Sequence, residues 1–147
     1  MMQVRPARER DLEALLCLEA LCFQDPWTSD GVRAELEQLH CRPLVVERDG
    51  VVLGSLLAWL LGGELQINRV AVDPAMQNQG LGGLLVAAAL ERAQAEGADR
   101  AYLEVRADNA QALALYLRHG FGQAGLRKKY YHDDMDAVLM TRSLTIG

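Results

Sequence analysis

The stretch ELQINRVAVDPAMQNQGLG, residues 64–82, decides the fold. Its first half, 64–72, follows a Gly62-Gly63 turn and reads as a strand. Asp73-Pro74 ends that strand, and the glycines that follow open a helix expected over 79–96. Leu81, Leu84, Leu85 and Ala88 share one stripe of this helix, and Gly97 is its natural stop. Residues 100–105, RAYLEV, form the next strand. Strand, helix and strand in that order make a β-α-β unit over 64–105, and its two strands should be parallel.

Upstream, 44–47 and 51–54 flank Arg48-Asp49-Gly50, and Asp-Gly is a strong hairpin signal. The second of these strands continues to Leu61, so an antiparallel three-strand meander leads into the β-α-β unit. Before it stand a short strand at 3–5 and a helix from Glu9 to about Cys22 carrying Leu12, Leu15 and Leu16. A second helix, capped by Thr28 or Ser29, runs to about Leu39. Downstream, a helix over 109–119 ends at Gly120, and strands over 121–127 and 137–143 close the chain. The expectation is an α/β fold, one domain over 1–147, with a mixed sheet and helices on both faces.

Half the residues are hydrophobic and 24% are charged, the balance of a globular chain. The longest nearly apolar run, Val51 to Leu61, is about half of what a membrane-spanning helix needs. The N-terminus lacks the apolar core of a signal peptide, and three scattered cysteines make no disulfide framework, so a cytoplasmic protein without a membrane partner is expected. A net charge of −5 argues against direct nucleic-acid binding. Through Pro74 there are 7 Arg against 12 Asp plus Glu, while the remainder balances. That asymmetry favours a cationic partner for the first half, or simply solvated helix faces. Arg127-Lys128-Lys129-Tyr130-Tyr131 reads as an exposed connection between the last strands rather than a nucleic-acid patch. His40, His119 and His132 show no metal-ligand spacing, and no metal is expected.

The chemistry-bearing motif is Gln77-Asn78-Gln79-Gly80-Leu81-Gly82, at a strand-to-helix junction. Glycines let backbone N–H groups approach a ligand, and the helix N-terminus adds partial positive charge, which suits a pyrophosphate. A purely structural turn has the same appearance. A P-loop is excluded because the only lysines are Lys128 and Lys129, and a dinucleotide fingerprint because position 85 is leucine.

Gln77 to Gly82 resembles the pyrophosphate signature Gln/Arg-x-x-Gly-x-Gly/Ala of the GCN5-related N-acetyltransferase (GNAT) superfamily. Residues 68–74, NRVAVDP, are similar to its coenzyme-binding strand, and 103–116, LEVRADNAQALALY, to its C-terminal motif, which ends in Gly120-Phe121. Leu-Glu-Val-Arg, the Tyr130-Tyr131 pair and Pro26-Trp27-Thr28 further resemble the ribosomal-protein alanine N-acetyltransferase branch. The resemblance implies acetyl-CoA as co-substrate, held where strands 64–73 and 100–106 splay apart. Val70, Ala71 and Val72 would pair with the pantetheine arm, and amides of Asn78, Gln79, Gly80, Leu81, Gly82 and Gly83, beside Gln77, would hold the pyrophosphate. Asn109 would touch the coenzyme from the next helix. Asn78 and Gly83 stand where relatives often carry basic residues, which implies weaker coenzyme binding.

By the same resemblance Glu104 is the general base, through water, and Tyr116 the general acid toward the sulfur. A salt bridge to an arginine is the alternative role for Glu104, and aromatic packing the alternative for Tyr116. The branch implies a basic protein N-terminus as acceptor, the N-terminal alanine of a small-subunit ribosomal protein, with Trp27 and Tyr131 lining its groove. An α-amine is roughly 15% neutral at pH 7 and a lysine about 0.04%, so one glutamate working through water suits the α-amine better. A small-amine acetyltransferase and a non-catalytic acyl-CoA-binding module are the alternatives.

Overall fold

A computed structural model describes residues 1–145. Seven strands form one sheet in the order β1-β2-β3-β4-β5-β7-β6. They are β1 (Met2–Pro6), β2 (Leu44–Arg48), β3 (Val51–Leu61), β4 (Glu64–Val72), β5 (Arg100–Arg106), β6 (Gly122–Arg127) and β7 (Ala137–Ser143). The helices are α1 (Leu12–Cys22), α2 (Ser29–Glu37), α3 (Leu81–Ala95) and α4 (Ala110–Arg118). Asp49 and Gly50 both take positive φ, 52° and 81°, the two-residue turn that matches strand twist, and Arg48 pairs with Val51 across it. The meander expected over β2–β4 therefore forms, and β1 extends it by pairing with β2.

Local chemistry sets the helix ends. Thr28 accepts a hydrogen bond from the Gly31 N–H at 3.1 Å and caps α2. The first helix begins later than expected, because Glu9–Asp11 form a 3₁₀ turn in which the Asp11 carboxylate accepts from the Arg8 N–H and pairs with Arg5. α3 begins at Leu81 instead of 79, since Gly80 ahead of it is left-handed. Its buried stripe is Leu81, Leu85, Val86, Ala89, Leu90 and Ala93, while Leu84, expected inside, is 45% exposed on the flank.

The sheet separates two apolar layers. On one face α1 and α2 cover Val45 with Leu15 and Val32. On the other, α3 and α4 cover the larger core of Val46, Leu56, Leu65, Ile67, Leu103 and their neighbours. Among the described residues no helix is long and apolar enough to cross a membrane.

The feature that places the site is the β4–β5 contact, the sheet's parallel pairing. It lasts only from Glu64↔Arg100 to Ile67↔Leu103. At that point β4 bulges, because Ala58 pairs with Ile67 but Leu57 with Arg69, leaving Asn68 as the extra residue. Beyond the bulge β4 follows β3 and β5 follows β7, so the two strands part. Gly54 makes the course of β4 possible: a Cβ there would lie 2.9 Å from the Ala71 carbonyl oxygen and 3.1 Å from Val46 Cγ1. Gly54→Ala should therefore cost about 1–3 kcal/mol in denaturant unfolding. A loss below about 0.5 kcal/mol would mean that β4 yields freely at Ala71.

Candidate active site

Past Ile67, the β5-facing edge of β4 has no strand partner. Beside it opens a cleft of about 300 Å³, walled by Val70, Ala71 and Val72, by the turn before α3, and by α4. The turn is built to leave its amides free. Asn78 and Gly80 take positive φ, 65° and 79°, and no side chain caps α3. Among the described residues the backbone amides of 78–83 donate to no protein acceptor, and the first amide of the helix to do so is that of Leu84, to Gly80. Six consecutive free donors at a helix start form an anion cradle.

The two glycines inside the helix have a second task. A Cβ on Gly82 would stand 3.3 Å from Leu115 and one on Gly83 3.3 Å from the His119 ring, so their absence also lets α4 approach.

Of the expected site residues, Gln77, Asn78, Gly80, Leu81, Gly82, Gly83, Asn109 and Tyr116 line the cleft with Val70, Ala71 and Val72, whereas Gln79 does not. Asn109 uses its side-chain oxygen to cap α4, accepting from the Ala112 N–H at 3.1 Å, which leaves its amide nitrogen for a ligand. Tyr116 is only 8% exposed, set edge-on to Phe121, and burial pushes its phenol up to about 12. Cys22 and Phe23, from the end of α1, form a wall that the sequence reading missed. Arg118, in the last turn of α4, was missed too, and it is the sole charged residue among the described residues lining the cleft.

Glu104 approaches from the opposite side of the sheet. On β5, Ala101, Leu103 and Val105 are buried in the large core, so Tyr102, Glu104 and Arg106 face the other way. There the Glu104 carboxylate meets Arg127 Nε at 3.0 Å, with the arginine 57% exposed. The salt-bridge alternative for Glu104 is thus realised, at one of its two oxygens. The charge of Glu104, and its hydrogen bond, raise the Tyr130 phenol. Tyr131, raised mainly by burial and then by Glu104, packs edge-on to Tyr130 and under Arg106, whose guanidinium also binds Asp108 and Asp133. Trp27 lies in a different cluster, beneath Arg69, its backbone N–H donating to Glu19. Cys41 donates to the Glu35 carboxylate, and burial first, then that carboxylate, push its thiol up to about 12, the state of an inert side chain. Cys41 also lines a smaller cavity of about 150 Å³ near Leu44, Ala89 and Ala93, which has the Arg42–Glu96 ion pair in its wall and holds none of the other groups.

Residues 12–121 match the acetyltransferase (GNAT) family. A Bacillus subtilis protein, provisionally named a ribosomal protein bS18-alanine N-acetyltransferase, is 37% identical over 139 residues, 93% of this chain and 92% of its own. The N-alpha-acetyltransferase RimI of Mycobacterium tuberculosis is 36% identical over 132 residues, 85% and 82% of the two chains. The crystal structure of the ribosomal-protein alanine N-acetyltransferase of Escherichia coli superposes with a TM-score of 0.93 at 27% identity, over 100% of this chain and 96% of the other.

Proposed function

The chain belongs to the acetyltransferase (GNAT) family, and from that premise we propose that it moves the acetyl group of acetyl-CoA to the N-terminal α-amine of a protein, the N-terminal alanine of a small-subunit ribosomal protein. The observation that carries this reading is the parting of β4 and β5, with a free strand edge and free amides on one side of the gap and Glu104 on the other.

The residues fit the co-substrate. Val70, Ala71 and Val72, on the unpartnered edge of β4, would pair with the pantetheine arm as with another strand. The amides of 78–83 face the pyrophosphate, and Arg118 adds the one positive charge with no carboxylate nearby in the cleft wall. Arg118→Ala should raise the KM for acetyl-CoA about tenfold, and more steeply at low ionic strength, because a hydrogen bond to a charged group contributes about 1.5–3 kcal/mol. A KM independent of this substitution would mean that the backbone amides suffice.

Acid and base approach the gap from opposite faces. Tyr116 stands on the coenzyme side, and Glu104 takes the amine's proton through water on the α1–α2 side. That separation suits direct transfer, with both substrates bound at once and no acyl-enzyme. Cys41, the buried thiol, is bonded away and takes no part. Trp27 and Tyr131 flank the acceptor's approach, and the acidic first half of the chain attracts a basic N-terminal tail.

The experiment is acetyl transfer to a basic peptide that begins with alanine and contains an internal lysine, with fragmentation mass spectrometry placing the product. Acetyl on the α-amine is expected. Acetyl on the lysine, or transfer only to a free polyamine, would overturn the assignment of acceptor.

A further inference from the structure

We propose that Arg69 is a positioning residue for the acceptor: it fastens residues 23–28 against β4 and so builds one wall of the groove by which the amine reaches the gap. This rests on the acetyl-transfer reading above. Arg69 lies one residue beyond the bulge at Asn68, where β4 has just lost β5. Its guanidinium grips the Glu19 carboxylate, with Nε 3.2 Å from both oxygens and the terminal nitrogen 2.9 Å from one. The same terminal nitrogen donates to the Asp25 carbonyl at 2.9 Å. The guanidinium also lies over two rings, 3.9 Å from the Phe23 centroid and 4.9 Å from that of Trp27.

The Trp27 side chain of the α1–α2 connection also packs against the Leu15–Val32–Val45 core, but the backbone of the connection has little other support. Between the Phe23 amide, which closes α1, and Thr28, which caps α2, the described backbone hydrogen bonds are two. Asp25 accepts from Arg69, and Trp27 donates at 2.7 Å to the Glu19 carboxylate that Arg69 holds. The Glu19 side chain is 4% exposed and that of Arg69 19%, so the pair is largely withdrawn from water and screened little by salt. Phe23 in turn lines the cleft beside Val70, Ala71 and Val72. One guanidinium therefore joins the wall of the cleft to the segment that carries Trp27. A lysine would keep the charge but lose the fork that binds two carboxylate oxygens, a carbonyl and two rings together.

The test uses Arg69→Met and the double variant Glu19→Gln with Arg69→Met, in which no buried charge is left alone and Gln can still accept from Trp27. Hydrogen exchange, acetyl-CoA affinity by calorimetry and steady-state rates are measured on both, with the alanine-leading basic peptide as acceptor. The Trp27 amide, the hydrogen-bonded donor of this segment, should exchange about tenfold faster or more while the amides of α3 and β5 keep their protection. The peptide KM should rise about tenfold, with kcat at saturating peptide within about threefold and the acetyl-CoA Kd within about twofold of wild type. Unchanged exchange at the Trp27 amide would overturn the proposal, as would faster exchange with an unchanged peptide KM. Parallel losses in kcat and acetyl-CoA affinity would replace it with a general structural role. Failure of the acceptor assignment is read separately, from where wild-type enzyme places the acetyl group. If that is a small amine, the same KM comparison is made with it.

Discussion

Tyr116→Phe should lower kcat about 10²-fold and leave the acetyl-CoA Kd unchanged. The magnitude follows from what a phenol in this position is able to do. Burial pushes Tyr116 up to about 12, so it is protonated throughout the working range and has a hydrogen to offer the sulfur. Outright transfer to a thiolate is another matter. A thiol titrates near 8.5, about 3.5 units lower, so moving the proton from phenol to thiolate would cost about 5 kcal/mol. The donor is therefore best used as a hydrogen bond to the sulfur while negative charge builds there; of the two protons the ammonium sheds, the first passes through water to Glu104 before attack and the second, lost as the amide forms, ends on the thiol. A charged hydrogen bond of about 1.5–3 kcal/mol corresponds to roughly 10–150-fold in rate. Phe retains the ring that packs against Phe121, so folding and the shape of the cleft are preserved. Calorimetry with acetyl-CoA and the rate of thiol release check the two halves of the prediction. A rate within twofold of wild type would remove Tyr116 from the chemistry and leave it the packing residue that its sequence also allows.

What could be read in the sequence was local. The Asp49-Gly50 hairpin, the β-α-β unit and the Thr28 cap each depend on a few neighbouring residues, and each is found where the residues put it. The turn at 77–83 was legible as an anion cradle because glycine spacing and a helix start lie within one window. The dual role of Gly82 and Gly83 was not, since the obstruction to a Cβ comes from Leu115 and His119, some thirty residues on. The same distance in sequence hid Arg118 and the walls formed by Cys22 and Phe23. The bulge at Asn68 went unread because β4 looks like an uninterrupted strand, and only its partners on both sides reveal the extra residue. Leu84 was misplaced for a related reason. α3 is apolar nearly all round, so periodicity alone does not say which side meets the sheet. Glu104 is the instructive case. The family resemblance proposed it as a base and left a salt bridge as its alternative, but the partner Arg127 comes from a strand that reaches it only through β7.

Removing that carboxylate gives the second large effect. Glu104→Gln should lower kcat about 10²-fold at pH 7, within the usual 10²–10⁴ contribution of general acid–base groups, and the deficit should shrink as pH rises. If the wild-type carboxylate receives the ammonium proton, as proposed, kcat should vary little with pH. In the variant only amine that has already lost its proton reacts, so the rate should climb up to about tenfold per pH unit and level off above the pKa of the amine. Arg127 is 57% exposed and stays solvated without its partner, so the ion pair contributes about 1 kcal/mol or less to stability. Arg127→Met, which breaks the pair but keeps the base, should hold kcat within about threefold and separates the two roles. A variant profile that stays depressed and flat would overturn the base assignment. The plateau also identifies the acceptor. An α-amine levels off near about 7.8 and a lysine near about 10.4, so the pH at which Glu104→Gln stops gaining rate tells which amine lies in the gap.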